Sequence, residues 1–141
     1  MKRDPRLVAL SSDHHHALAL ALRATRVVDG SLSTSPDEMW AEVIAAYNRD
    51  LKRHFEIEER LMLPALESRG AKSLADRTRE DHQHIRRCLS DAQTNLTGRL
   101  KTFAGLIRRH VRFEEEELFE AVQEQVPGDV LDEISEASRR E

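Results

Sequence analysis

Apolar residues recur at three- to four-residue intervals along most of the chain, and short polar breaks divide it into helical stretches. The first runs from about Pro5 to Asp29 and stops at Gly30. The loop GSLSTSP follows, with Ser35 suited to cap a helix and Pro36 to its first position. A second stretch runs from about Asp37 to Leu63. Pro64 lacks an N–H and disfavours helix at the residue before it, so a kink or stop is expected there, with an added turn to Gly70. The third stretch runs from about Ser73 to Thr94 and ends in NLTG. The fourth runs from about Arg99 to Gln125 and is closed by Pro127-Gly128, after which Asp129 is placed to cap a short helix to about Arg139. No segment sustains the period-2 alternation of a strand. The pattern predicts an all-α fold in one domain spanning 1–141: an antiparallel up-down-up-down four-helix bundle with a short C-terminal fifth helix.

The sequence also echoes itself. Asp13-His14 precedes His54-Phe55-Glu56-Ile57-Glu58-Glu59, and Asp81-His82 precedes His110-Val111-Arg112-Phe113-Glu114-Glu115. Each half reads D-H, then H-x-x-x-E-E. Positions i and i+4 of a helix lie about 40° apart, so His54 shares a face with Glu58 and His110 with Glu114. Glu59 and Glu115 swing about 140° from their histidines and are expected to be wetter. His54 lies in line with Trp40, Ile44, Tyr47, Leu51 and Leu61. His110 is flanked by Phe103, Leu106, Ile107 and Phe113. His82 lines up with Ala75, Ile85, Leu89 and Leu96, whereas His84 falls among Arg77, Glu80, Arg87 and Asp91. Of His14-His15-His16, His14 best lines up with an apolar stripe (Leu7, Leu10, Leu18, Ala21), and the adjacency of the three makes this the least constrained choice. Glu117 lies about 20° from the line of His110, so it either reaches the same site or turns outward.

Composition narrows the function classes. Lys and Arg total 22 and Asp and Glu 26, a net charge of −4 with histidine neutral. That balance argues against a phosphate-gripping protein, so no nucleic-acid partner is expected. No apolar run approaches the roughly 18–20 residues of a membrane helix, so no membrane partner is expected either. The opening MKRDPRLVAL leads directly into a charged amphipathic pattern, and the single cysteine, Cys88, cannot form an internal disulfide. A cytoplasmic protein without a signal peptide is the expectation, with Cys88 a small, partly buried thiol.

Taken singly, each of these features has an ordinary explanation. A histidine on an apolar stripe is commonly a hydrogen-bonded core residue, and one H-x-x-x-E is commonly a surface pair worth a few tenths of a kcal/mol. Together, four inward histidines and two inward glutamates must share one core, and burying uncompensated carboxylates costs several kcal/mol each. A metal removes that cost. Zinc takes four ligands, whereas six, two of them carboxylates able to bridge, suit a pair of iron ions inside a helical bundle. Mn/Fe or another divalent pair accepts the same ligands.

The pattern H…HxxxE…H…HxxxE, carried by His14, His54, Glu58, His82, His110 and Glu114, resembles the hemerythrin-like (HHE cation-binding) family over about residues 7–121. EERLMLP after the first HxxxE and EEEELF after the second are similar as well. The resemblance implies a four-helix bundle holding a non-haem di-iron centre, with those six residues as metal ligands and O2, NO or peroxide as the small-molecule ligand. It also implies carboxylate bridges from Glu58 and Glu114 and an oxo or hydroxo bridge. Glu59 and Glu115 are expected to stay off the metal and behave as ordinary surface residues. The oxygen carriers of the family have two histidines one turn apart on the third helix. Here the flanking positions are Thr78 and Arg86. Of the roughly twelve positions of two six-coordinate ions, about two then stay open. The Thr78 hydroxyl is too weak a ligand to count but is able to hydrogen-bond a bound molecule or water. Sensing, carriage, iron handling, an enzyme reducing peroxide, O2 or NO, and a metal-stapled interaction module all remain compatible with this ligand set. A separate protein or redox partner is expected for a sensing role.

Overall fold

The computed structural model describes residues 2–90 and 95–139. Among them all regular structure is helical, and no strand is present. A 3-10 turn, Pro5–Leu7, is capped by the Asp4 side chain and leads into α1, Val8–Val28. The long helix α2 covers 36–68. Ser35 and Glu38 form a reciprocal capping box at its start, with Pro36 in the first turn. Two wide turns, Tyr47–Leu51 and Glu58–Met62, carry i→i+5 hydrogen bonding within it. Helix α3 is Lys72–Ser90. Helix α4 covers 96–125 and has one wide turn, Glu114–Leu118. Helix α5 is Gly128–Arg139.

The expected boundaries hold with two corrections. Pro64 neither stops nor ends α2, which runs on to Ser68. The wide turn just before it already shifts the hydrogen-bond ladder, with the Leu63 N–H bonded to the Glu58 carbonyl five residues back, and Pro64 then sits in the first turn of a new α segment. Helix α2 closes at Gly70, as expected, where φ of 89° suits glycine and the Ala71 N–H returns to the Leu66 carbonyl. NLTG opens α4 rather than preceding it: Asn95, at φ 53°, accepts the Gly98 N–H through its side chain. The expected end of the third stretch at Thr94 lies outside the described residues.

Two apolar clusters make the core. One gathers Leu20, Ala24, Met39, Trp40, Phe55, Ile85, Leu100 and Phe103. The other gathers Leu7, Leu10, Ile57, Met62, Phe113, Leu118 and Phe119, and α5 completes it with Leu131 and Ile134. Between them, along each long helix, comes a buried polar stretch: His14 on α1, His54 and Glu58 on α2, Thr78 and His82 on α3, His110 and Glu114 on α4. Helices α1 and α3 start in the second cluster and pass to the first, whereas α2 and α4 pass from the first to the second. No helix among the described residues is long and apolar enough to cross a membrane.

Candidate metal centre

One histidine from each long helix is buried, as the helical phases require: His14, His54, His82 and His110 are 3%, 1%, 0% and 2% exposed. His15, His16 and His84 are exposed, and so is Glu117. Glu58 and Glu114 have no exposed side-chain surface, and each begins a wide turn. Such a turn uses more residues per revolution than an α-helix. It changes the direction of everything after it, which is why a straight-helix extrapolation to Glu117 is inconclusive and the structure turns that residue outward. Leu18, placed on the His14 stripe by sequence, is 38% exposed.

The two glutamates stand between two histidine pairs. Glu58 directs Oε2 to His54 Nε2 at 3.0 Å and Oε1 to His82 Nε2 at 2.9 Å. Glu114 directs Oε1 to His14 Nε2 at 2.7 Å and Oε2 to His110 Nε2 at 3.0 Å. One oxygen of each carboxylate therefore faces each pair. Ligand atoms of His14, His54, Glu58 and Glu114 all lie within 4.8 Å of one another, and so do those of Glu58, His82, His110 and Glu114.

All four Nε2 atoms face this centre, and all four Nδ1 atoms face outward to a second set of carboxylates. Asp13 on α1 meets His54 on α2 at 3.0 Å. Glu59 on α2 meets His82 on α3 at 2.6 Å. Asp81 on α3 meets His110 on α4 at 3.0 Å. Glu115 on α4 meets His14 on α1 at 2.5 Å, closing the ring. A carboxylate on the far nitrogen fixes the tautomer and plane of a metal-ligating imidazole and raises its basicity. This corrects the sequence reading of Glu59 and Glu115. They are half-buried partners of ring nitrogens and not ordinary surface residues. All four outer carboxylates belong to the D-H and E-E doublets, but the doublets alone do not say which imidazole each one serves. Asp13 and Asp81 each serve the next helix and not their chain neighbour, a pairing that local sequence does not reveal.

The charges are strongly coupled. Burial drives the histidines toward the neutral form, but the surrounding carboxylates outweigh it. The Glu114, Glu58 and Glu59 carboxylates raise the His82 pKa to about 10. The Glu114 charge, with Asp81, raises His110 to about 9. His54 is held well above its ordinary value by Glu58, Asp13 and Glu114, and His14 is raised by Glu114 and Glu115. Burial opposes ionisation of Glu114, yet the His110 charge and the histidine contacts hold its pKa well below the carboxylate range.

Hydrogen bonding alone leaves this centre incomplete. Glu58 Oε1 with His82 Nε2, and Glu114 Oε2 with His110 Nε2, are buried at 2.9 and 3.0 Å without the angles of a hydrogen bond. Four buried polar atoms, held together by charge without hydrogen-bond geometry, converge on one spot. They are all nitrogen and oxygen donors of the kind a borderline cation takes, so the residues fit a metal. The family model for the hemerythrin HHE cation binding domain matches residues 7–122, a span that contains His14, His54, Glu58, His82, His110 and Glu114. The chain belongs to that family. No curated protein and no solved structure matches it. Within this hemerythrin domain, Thr78 turns its hydroxyl proton to its own helix. It is fully buried one turn before His82, but its hydroxyl donates to the Leu74 carbonyl at 2.8 Å, which commits its proton to the helix backbone. Cys88 is buried, more deeply than expected.

Proposed function

We propose that this hemerythrin-family chain is a non-haem di-iron protein that binds O2 or a related small molecule, NO or peroxide. The observation that carries the reading is the sharing of Glu58 and Glu114 between two histidine pairs. His14 and His54 would hold one ion and His82 and His110 the other, with Glu58 and Glu114 serving both. When bound, two irons supply a redox-active centre with coordination positions open to a small molecule. The chain's own residues orient and protect that centre. The outer carboxylates hold each imidazole with Nε2 inward, and the apolar clusters on either side limit access by bulk water.

The four long helices are assigned an antiparallel up-down-up-down bundle. The alternating order in which they traverse the two apolar clusters supports it. A cytoplasmic protein working with a separate redox or protein partner completes the reading, with neither nucleic acid nor membrane as a partner.

Visible spectroscopy of the iron-loaded protein tests it. Azide added to the oxidised protein should produce new charge-transfer absorption, and O2 added to the reduced protein a spectral change that reverses on its removal. Steady catalytic loss of peroxide would make the chain an enzyme. No response to azide, O2 or peroxide at full iron occupancy would remove the small-molecule role.

A further inference from the structure

The four histidines are not held alike. His54 and His110 each share a helix with a central glutamate, four residues on. His14 and His82 come from α1 and α3, which supply no central glutamate, and each is fixed by a larger assembly. The Phe55 ring stacks on His82 with centroids 3.9 Å apart and planes 15° apart. The Phe119 ring stacks on His14 at 5.2 Å and 18°. An arginine then joins the carboxylate and the phenyl ring serving the same histidine. Arg86 forks onto Glu59 at 2.8 and 3.2 Å, and its guanidinium lies 5.6 Å from the Phe55 centroid. Arg3 meets Glu115 Oε1 at 3.1 Å and the Glu115 carbonyl at 2.9 Å, and lies 5.5 Å from the Phe119 centroid.

We propose that Arg86 and Arg3 are paired positioning residues, each clamping the lone histidine of one metal position, His82 or His14, through its carboxylate partner and its stacked ring. The inference rests on the metal reading above. The two clamps fall one on each histidine pair, so both ions depend on one. Arginine suits the task because its planar fork engages a carboxylate with two N–H groups while its face meets an aromatic ring. A lysine ammonium is a point charge and does not do both. Arg3 lies before the matched residues 7–122, so the N-terminal segment contributes to the centre from outside the family's core. Arg3 is further tied to Glu120 at 3.2 Å and Gln123 at 2.9 Å, which fixes that segment onto α4.

The test compares Arg86→Met, Arg86→Lys and Arg3→Met with wild type. Arg23→Met, which breaks an exposed arginine–glutamate fork to Glu42, serves as control. Anaerobic Fe2+ affinity is read by competition with a chelator. Arg86→Met and Arg3→Met should lose affinity about tenfold or more, as for other groups that orient metal ligands. Arg86→Lys should resemble Arg86→Met, and Arg23→Met should resemble wild type. Wild-type affinity in Arg86→Met and Arg3→Met, or full recovery in Arg86→Lys, overturns the clamp. A metal-free readout separates this from the metal reading. In the apo protein the His82 Nδ1–H resonance should exchange faster with solvent in Arg86→Met, and that of His14 in Arg3→Met. If wild type takes up no iron but these resonances respond, the clamps stand and the metal reading falls. Unchanged exchange removes the clamps whatever the iron result.

Discussion

The carboxylate of Asp13 serves His54 on the neighbouring helix, at 3.0 Å, and not the adjacent His14. The same displacement by one helix is repeated from α2 to α3, α3 to α4 and α4 back to α1. Each helix thus presents one imidazole to the centre and steadies the next helix's imidazole. Replacing an outer carboxylate should act on the metal through the ring it holds. Glu59→Gln and Asp13→Asn should each weaken metal binding about 10- to 100-fold. Chelator competition measures this, and unchanged affinity in both would return Glu59 and Asp13 to the status of surface residues.

The inner histidines should be individually required. His14→Ala, His54→Ala, His82→Ala and His110→Ala should each lose iron from the purified protein, whereas His15→Ala, His16→Ala and His84→Ala should retain it. Iron loss in His15→Ala with retention in His14→Ala would place the wrong face of α1 inward. Glu58→Gln keeps the size of the side chain and removes charge that offsets two cations, so it should lose most of its iron.

These expectations mark how far the sequence could be read. Helical phase places His14, His54, His82 and His110 inward without any structure, because each is surrounded by apolar residues of the same stripe. Phase fails beyond Glu58 and Glu114, where wide turns change the residues per revolution. Glu117 and the setting of Glu59 and Glu115 are therefore legible only in three dimensions. The link from Arg3 to Glu115 spans 112 positions, and no local pattern announces it. Pro64 misleads for a related reason, since a wide turn upstream has already opened the ladder that proline interrupts.

The metal-free protein should show a defined pH window. His82 and His110, raised from 6.5 to about 10 and about 9, stabilise the fold fully below pH 6.5 and lose that contribution as pH rises through their folded values. Glu59, lowered from 4.5 to about 2 by His82 and Arg86 against the effect of burial, and Glu114 contribute above pH 4.5. Their contribution is lost as pH falls. The Tm of the metal-free protein should be highest between about pH 4.5 and 6.5 and should fall toward pH 10. Metal binding displaces protons from the imidazoles, so affinity should rise with pH through the same alkaline range. A metal-free Tm that climbs between pH 7 and 10 would contradict this.

Thr78→Val should be mild. The hydroxyl donates to Leu74, and its loss removes one local hydrogen bond worth about 1 kcal/mol. Azide affinity of the oxidised iron protein should change less than twofold. A large change would mean that the hydroxyl leaves Leu74 to meet the bound molecule.

Counting iron is the most direct measurement of the central proposal. Anaerobic titration of the metal-free chain with Fe2+ should saturate at two equivalents per chain, because two histidine pairs share two carboxylates. Glu114→Gln, which disturbs both positions at once, should lower the affinity for both equivalents. Saturation at one equivalent, or no uptake, would contradict a di-iron centre.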